Sequence, residues 1–153
     1  MPTLVGEGLD ITVASSLEEA LDDPEIVVTA TWAREPFLFR RHLKAGMHIN
    51  TSGPDQPGKY ELAADVLTES VVIVDDRRLA VEMGSVGRAG LDGDVIHAEL
   101  GEVIAGTKPG RLDRSSVTVF GSVRLPFQDL AAAWLVYCLA NKRERTRSID
   151  LLS

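Results

Sequence analysis

Two uninterrupted apolar runs constrain the fold of this chain more than any other feature. They extend from Ile26 to Thr31 and from Ser70 to Asp75, and neither alternates between apolar and polar residues. A strand that is apolar at every position is buried on both faces, as in a parallel sheet covered by helices. Further strands are predicted over 11–14, 47–50 and 117–120, with helical patterns between them. This alternation predicts an α/β fold with a Rossmann-like, mostly parallel sheet and flanking helices.

N-cap residues and prolines predict where the helices begin and end. Ser15 and Ser16, followed by Glu18 and Glu19, predict a capped short helix that ends at Pro24. Pro126 is placed as the first residue of a long helix. The apolar residues at helical spacing in that helix predict one core-facing stripe: Phe127, Leu130, Ala131, Trp134 and Cys138. Other helices are predicted over 36–44, 61–69, 77–83 and 95–105, with a glycine-rich loop over 84–93.

Length and composition narrow the class of protein. A chain of 153 residues allows one domain with a real core. The net charge of −7 and the 5% aromatic content argue against nucleic acid and anionic membranes as partners. The single cysteine, Cys138, fits a reducing compartment and is expected to be a core thiol. No signal peptide pattern and no apolar run of ~20 residues is present, so a cytoplasmic location is expected.

The chain divides into three expected parts. Residues 1–10 are predicted to be a flexible N-terminus, and residues 11–140 a truncated Rossmann-like domain. Residues 141–153 form a tail that opens with a basic cluster: Lys142, Arg143, Arg145 and Arg147. No metal site is expected, because His48 and His97 each lack a second ligand at metal spacing.

Five residues lie at or just past the ends of predicted strands, at the edge where open α/β sheets bind ligands. This set comprises Thr31, Asn50, Ser52, Ser122 and Val123. Either these residues line a ligand crevice or they only cap strand ends. Asp55, between Pro54 and Pro57, is consistent with a turn or with a site carboxylate. Trp32 is placed either to stack on an adenine or to cover a strand edge.

Four sequence blocks carry a resemblance to a known family. They are Ile26–Thr31, the pattern GxDxPGKxEL from Gly53 to Leu62, His97–Gly106 running into Lys108-Pro109-Gly110, and Thr118–Val123 with Gln128-Asp129. In this order and spacing, from about Ser15 to Ala140, the chain resembles the ornithine cyclodeaminase/mu-crystallin family of nicotinamide-dependent proteins.

The resemblance implies a chemistry for these positions. Asp55 matches the family's acid/base carboxylate beside the nicotinamide, and Lys59 is a candidate substrate-binding residue. Thr31, Asn50, Ser52, Ser122 and Val123 are the candidate cofactor-binding residues. The implied cofactor is NAD or NADP, and the implied ligand is a small amino acid or imine. As a structural alternative, Lys59 is simply an exposed charge at a helix start.

The resemblance covers only the C-terminal half of the family. No G-x-G-x-x-G occurs, and Gly6-Glu7-Gly8 is the nearest candidate for a phosphate loop. The first βαβ unit and the family's N-terminal substrate and dimer segment are therefore expected to be absent, and dinucleotide binding by the chain alone weak or absent. In addition, Gly121 replaces the family's usual Asp, and Arg124 replaces a small residue.

Three functions remain open at this point. The chain is part of an NAD(P)-dependent amino acid or imine oxidoreductase or cyclodeaminase, completed by a homo-oligomer or by a separately encoded N-terminal half. Alternatively, it is a non-catalytic binding or assembly module, or a folded remnant without activity.

Overall fold

Five short parallel strands form one sheet in the described part of the chain. The computed structural model describes residues 11–52, 58–123 and 125–142. The strands are β1 (Ile26–Thr29), β2 (His48–Thr51), β3 (Val71–Val74), β4 (Ile96–Glu99) and β5 (Thr118–Gly121). Their spatial order is β1-β2-β5-β3-β4, and every pairing is parallel. The last strand in the sequence is therefore the central strand of the sheet.

Helices precede, separate and follow the strands in the described sequence. They are α1 (Leu17–Ala20), α2 (Ala64–Thr68), α3 (Arg77–Glu82), α4 (Ser85–Arg88), α5 (Leu100–Ile104) and α6 (Pro126–Lys142). Two 3-10 turns, at Arg40–His42 and Gly93–Val95, precede β2 and β4. The predicted cap of α1 is confirmed, because the Ser16 side chain accepts a hydrogen bond from the Glu19 amide.

The core lies around the three middle strands. Ile49 of β2, Val119 of β5 and Val72 of β3 are fully buried and pack in one cluster with Val66 and Leu67 of α2. The same is not true of β1, where Ile26 and Val28 are both 65% exposed. The expectation that the Ile26 run is buried on both faces is therefore wrong. In the described residues β1 pairs with β2 alone, and no element covers the face that carries Ile26 and Val28.

Two predictions of local structure are wrong at the ends of the sheet. Residues 11–14 form no strand. The helix expected over 95–105 is instead β4 followed by α5. Ile96 and Ala98, two residues apart, are both buried and pair with β3. Apolar residues at this spacing fit a strand face as well as a short helical stripe, and sheet pairing decides between the two.

Two further segments also differ from the prediction. Only the 3-10 turn at 40–42 forms within 36–44, where Leu38 instead makes a parallel bridge to Leu62. The glycine-rich segment 84–93 contains α4 rather than a loop alone.

The long C-terminal helix forms as expected but does not pack as expected. Helix α6 begins at Pro126, yet none of its described residues is buried. The predicted core-facing stripe is wrong: Phe127, Leu130 and Trp134 are each more than 60% exposed, and Cys138 is only half-buried. The helix continues through Lys142, while Arg143, Arg145 and Arg147 lie outside the described residues. Across the described ranges, no helix is both long and apolar enough to cross a membrane.

Candidate functional site

Sheet register brings the carboxyl ends of four strands onto one line. Thr51 of β2 pairs with Thr29 of β1 on one side and with Gly121 of β5 on the other, and Gly121 pairs with Val74 of β3. The residues that follow each strand therefore emerge at the same edge. This is the edge where open α/β sheets place their ligands.

A buried carboxylate organises the β1–β2 side of this edge. Glu61 is 1% exposed. Its Oε2 accepts from the hydroxyls of Thr29 at 2.7 Å and Thr51 at 3.1 Å. Its Oε1 accepts from the Thr31 amide at 2.6 Å and from the Thr31 hydroxyl at 2.8 Å. Four donors thus satisfy both oxygens, which is what a buried carboxylate requires.

Main-chain hydrogen bonds hold the two loops beyond β1 and β2 against each other. The Tyr60 amide donates to the Ala33 carbonyl at 2.9 Å, and the Phe37 and Leu38 amides donate to the Glu61 carbonyl at 3.1 Å. On the other side of the second loop, the Ser52 amide donates to the Thr29 carbonyl at 3.0 Å. The segment that carries Asp55 is therefore anchored at both flanks, although Asp55 itself lies outside the described residues.

Lys59 and Trp32 bridge these two loops. The Lys59 Nζ lies 3.8 Å from the centroid of the Trp32 ring, within cation–π range. Lys59 is only 7% exposed, whereas Trp32 is 74% exposed. The indole therefore has solvent on one side and the ammonium on the other. It contacts a neighbouring cation.

A second carboxylate organises the β3–β5 side. Asp75 follows β3 and accepts from the Ser122 hydroxyl at 2.9 Å and from the Val123 amide at 3.0 Å. The Ser122 amide also donates to the Thr51 carbonyl at 3.0 Å, which continues the pairing of β2 with β5 beyond the strand end. The loop after β5 is thus fixed to both of its neighbours.

The described residues fit only part of a dinucleotide. Hydroxyls and main-chain groups at the strand ends suit a ribose or a nicotinamide amide. The helices that follow β3 and β4 are unsuited to a pyrophosphate, because acidic side chains occupy their N-termini. Asp76 accepts from the Leu79 amide in α3, and Glu102 accepts from the Glu99 amide at the start of α5. A phosphate there would meet like charge and donors that are already paired.

His48 and His97 lie elsewhere and make structural contacts. His48 Nδ1 lies 2.7 Å from the Thr118 hydroxyl, and Arg111 donates to the same hydroxyl at 3.2 Å. Burial, and then the Arg111 charge, lower the pKa of His48 below its usual value. His97 Nε2 lies 2.9 Å from the Pro109 carbonyl. Within the ranges that the structure covers, no group of three His, Cys, Asp or Glu side chains is placed to hold a metal ion.

The structure brings most of the predicted site residues together as two groups. On the β1–β2 side, Thr31 donates to Glu61, Ser52 donates to the Thr29 carbonyl and Lys59 lies against Trp32. On the β3–β5 side, Ser122 and Val123 donate to Asp75. Asn50 lies within β2, one residue before its end. The Gly6–Gly8 segment and Arg124 are outside the described residues, like Asp55.

Sequence reasoning missed the two organising carboxylates, Glu61 and Asp75. A signal for Asp75 was present, because it directly follows an apolar strand in the same way as the residues that were selected. Glu61 stood inside the quoted sequence pattern but was assigned no role.

Comparison with known proteins identifies the chain's relatives. A family model described as the ornithine cyclodeaminase/mu-crystallin family matches residues 2–144. The chain belongs to this family. Ketimine reductase mu-crystallin of Mus musculus is 42% identical over 129 residues, which cover 84% of this chain and 40% of the relative. Ornithine cyclodeaminase of Brucella suis biovar 1 is 37% identical over 152 residues, which cover 98% of this chain and 42% of the relative.

Solved structures of family members share the fold. The Thermococcus litoralis Δ1-pyrroline-2-carboxylate reductase, in complex with NADH and L-proline, matches with a TM-score of 0.79 and 30% identity over 89% of this chain and 44% of that chain. An archaeal alanine dehydrogenase dimer with bound NAD matches with a TM-score of 0.74 and 35% identity over 84% of this chain and 41% of that chain. The predicted resemblance and the predicted Rossmann-like parallel sheet are confirmed.

The matches cover less than half the length of each of these relatives. The chain spans between 40% and 44% of the length of the four relatives described above. It is similar to proteins that bind NAD or NADH, and one of those proteins is a dimer.

Proposed function

We propose that this chain forms the carboxyl-edge wall of the active site of an NAD(P)-dependent imine reductase, amino acid dehydrogenase or cyclodeaminase. One observation carries the proposal: in a chain of this family, Glu61 and Asp75 fix the ends of β1, β2 and β5 on one line of the sheet. Held strand ends can present ring and ribose contacts without reorganisation, which is what orientation of a reacting pair requires.

In this proposal, different residues of the chain transfer the proton, bind the substrate and line the cofactor. Asp55 manages the proton at the substrate nitrogen or at an attacking water. Lys59 supplies positive charge for the substrate carboxylate. Thr31, Asn50, Ser52, Ser122 and Val123 line the cofactor side. A bound nicotinamide would supply or accept the hydride.

The acidic helix N-termini imply that the rest of the cofactor site comes from elsewhere. A pyrophosphate needs free amides, and Asp76 and Glu102 already occupy the starts of α3 and α5. We therefore place the phosphate cradle on another polypeptide segment, such as a separately encoded N-terminal half, because a second copy would present the same acidic starts of α3 and α5. A non-catalytic binding or assembly module is the second candidate. The exposed apolar surface of α6 favours it, because such surfaces mark association.

Calorimetric titration of the purified chain with NADH and then NADPH tests whether the phosphate site lies on another polypeptide segment. We expect dissociation constants weaker than about 1 mM, which corresponds to about −4 kcal/mol of binding free energy. Micromolar binding would contradict the assignment of the phosphate site to another segment.

The catalytic part of the proposal needs a completed site. The chain would be mixed with a separately produced N-terminal half of the Thermococcus litoralis reductase, and NADH oxidation followed with Δ1-pyrroline-2-carboxylate. We expect turnover that Asp55→Asn abolishes while the unfolding midpoint of the chain is unchanged. Assembly without turnover would favour the binding module.

A further inference from the structure

The outer side of β1 carries main-chain groups that no described strand pairs with. The His48 amide donates to the Glu25 carbonyl at 2.8 Å, and the pairing with β2 continues without a bulge as far as Thr29. Main-chain groups of successive strand residues point to opposite sides of the strand. Those of Glu25 and Thr29 therefore point to β2, whereas the N–H and C=O groups of Ile26 and Val28 point away from it.

The side chains of the same two residues are apolar and exposed. Ile26 and Val28 each leave 65% of their surface in solvent. Edge strands of natural proteins are usually protected from pairing by a lysine, a proline or a bulge. The strand Ile26–Thr29 contains none of these. This edge is therefore suited to another extended strand.

The edge is complementary to a second copy of itself. When two copies of β1 lie antiparallel about a two-fold axis at Val27, Ile26 of each copy lies opposite Val28 of the other. Both residues point outwards, so each such pair exchanges N–H···O=C bonds in both directions. The exposed branched side chains then form cross-strand apolar pairs. A shift of register towards the amino end would bring in Pro24, which has no N–H to donate.

The charges that flank β1 favour the antiparallel arrangement. Asp22 and Glu25 precede the strand, and Arg34 follows it. Within the part of the chain that the structure describes, none of these three side chains makes a hydrogen bond or an ion pair. Antiparallel pairing brings the acidic amino end of each strand beside the carboxyl end of the other, which leads to Arg34. Parallel pairing would bring the two acidic amino ends together.

We propose that β1 is a dimerisation edge, which pairs antiparallel with β1 of a second copy about a two-fold axis at Val27. The two five-stranded sheets then form one continuous sheet. Because each copy uses its β1 edge for the other, this contact closes at two copies. The inference goes beyond the proposed function, since neither nucleotide nor substrate takes part in the contact.

A disulfide across the axis tests the register. The chain carries Val27→Cys together with Cys138→Ser, which removes its single natural cysteine. Residues at the axis form a pair without hydrogen bonds, whose Cα atoms lie about 4.5 Å apart and can be bridged. We expect mild oxidation to convert the chain to a covalent dimer on a non-reducing gel.

Ile26→Cys in the same Cys138→Ser background is the matched control. Position 26 of one copy lies diagonally from position 26 of the other, about 7–8 Å away, which is too far for a disulfide. Because Ile26 is well exposed, random collisions would cross-link this variant readily. Little covalent dimer is therefore expected from it.

A second measurement does not depend on a disulfide. Sedimentation velocity is run on a chain that carries Leu130→Gln, Trp134→Gln and Tyr137→Gln, which removes association through α6. We expect a concentration-dependent dimer. Val28→Pro should weaken it at least about tenfold, because proline removes an outward N–H from each copy and leaves the bonds to β2 intact. Val28→Thr keeps the N–H and the branched side chain, and it should remain a dimer.

Three results would overturn the pairing. A monomer at every concentration in the α6 variant would leave the edge to a different chain. Equal cross-linking at positions 26 and 27 would mean random collision, and equal dimerisation of Val28→Pro and Val28→Thr would mean that β1 is not the contact. An unchanged urea midpoint at low protein concentration confirms that each variant is folded. Loss or gain of NADH oxidation by the completed site has no bearing on these outcomes.

Discussion

At the scale of single residues, Glu61 connects more of the site than any other described side chain. It joins β1 to β2 through Thr29 and Thr51, and it fixes the residue after β1 through Thr31. Two of these partners are 30 and 32 positions away in sequence. The same carboxylate therefore stabilises the sheet and shapes the edge proposed for ligand binding.

Glu61→Ala should lower the free energy of unfolding by more than about 3 kcal/mol. The change leaves the buried hydroxyls of Thr29 and Thr51 without their acceptor, and also the amide and hydroxyl of the exposed Thr31. Each buried loss costs about 1–3 kcal/mol before relaxation. Glu61→Gln should cost only about 1–2 kcal/mol, because its carbonyl can face the Thr31 amide while the threonine hydroxyls rotate to accept from its NH₂. Urea unfolding followed by circular dichroism measures both changes.

Glu82→Ala is the matched control for Glu61. Glu82 is an exposed glutamate whose partner is Arg78, one helical turn earlier. Exposed pairs of this kind contribute little, so a change within about 0.5 kcal/mol is expected. Similar losses for Glu61→Ala and Glu82→Ala would contradict the role assigned to the buried carboxylate.

At the scale of elements, glycine marks where α3 and α4 meet. A Cβ on Gly87 of α4 would lie 1.7 Å from the Val81 carbonyl oxygen of α3. A Cβ on Gly101 of α5 would meet no atom within 4 Å. The glycine-rich composition of 84–93 suggested a loop, yet here a glycine permits two short helices to pack closely.

The two glycines give opposite expectations on substitution by alanine. Gly87→Ala should destabilise the protein by about 2–3 kcal/mol, because the backbone of α3 must shift. Gly101→Ala should be neutral or stabilising by up to about 1 kcal/mol, because alanine is the better helix former at an open position. Urea midpoints of the two variants compare them directly. A neutral Gly87→Ala would mean that α3 and α4 are not in contact at this point.

At the scale of the whole molecule, apolar surface remains uncovered in the described residues. Helix α6 exposes Leu130, Trp134 and Tyr137 by 57–67%. Large exposed apolar surfaces of this kind mark association sites. Since β1 also exposes Ile26 and Val28, the described chain has two surfaces suited to a partner.

We expect the purified chain to self-associate through α6. The triple variant Leu130→Gln, Trp134→Gln, Tyr137→Gln should shift the sedimentation distribution towards the monomer. Its urea midpoint, extrapolated to low protein concentration, should be unchanged, because α6 contributes no buried residue to the core. Ala132→Gln is the matched control on the same helix. A wild-type chain that sediments as a monomer at all concentrations would contradict this expectation.

Much of the fold was predictable because local patterns determine which residues must be covered. Apolar runs without alternation predicted β1 and β3 and the parallel sheet, and Pro126 predicted the start of α6. The predicted strand ends placed Ser52, Ser122 and Val123 just beyond the carboxyl ends of strands, and the structure has them there. The family blocks added a chemistry that no periodicity could supply.

Contacts between residues far apart in the sequence determined the parts of the fold and of the site that local patterns did not predict. The position of β5 between β2 and β3, the strand rather than helix at 96–99 and the partners of Glu61 all depend on contacts with residues far away in the chain. A local pattern specifies that a face is apolar or that a carboxylate needs donors, but it does not specify which neighbour meets that need. For this reason the sequence alone determined the class of sheet and the residues that follow its strands at the carboxyl edge. Tertiary structure alone decided that Glu61 and Asp75 hold that edge and that Trp32 lies over Lys59.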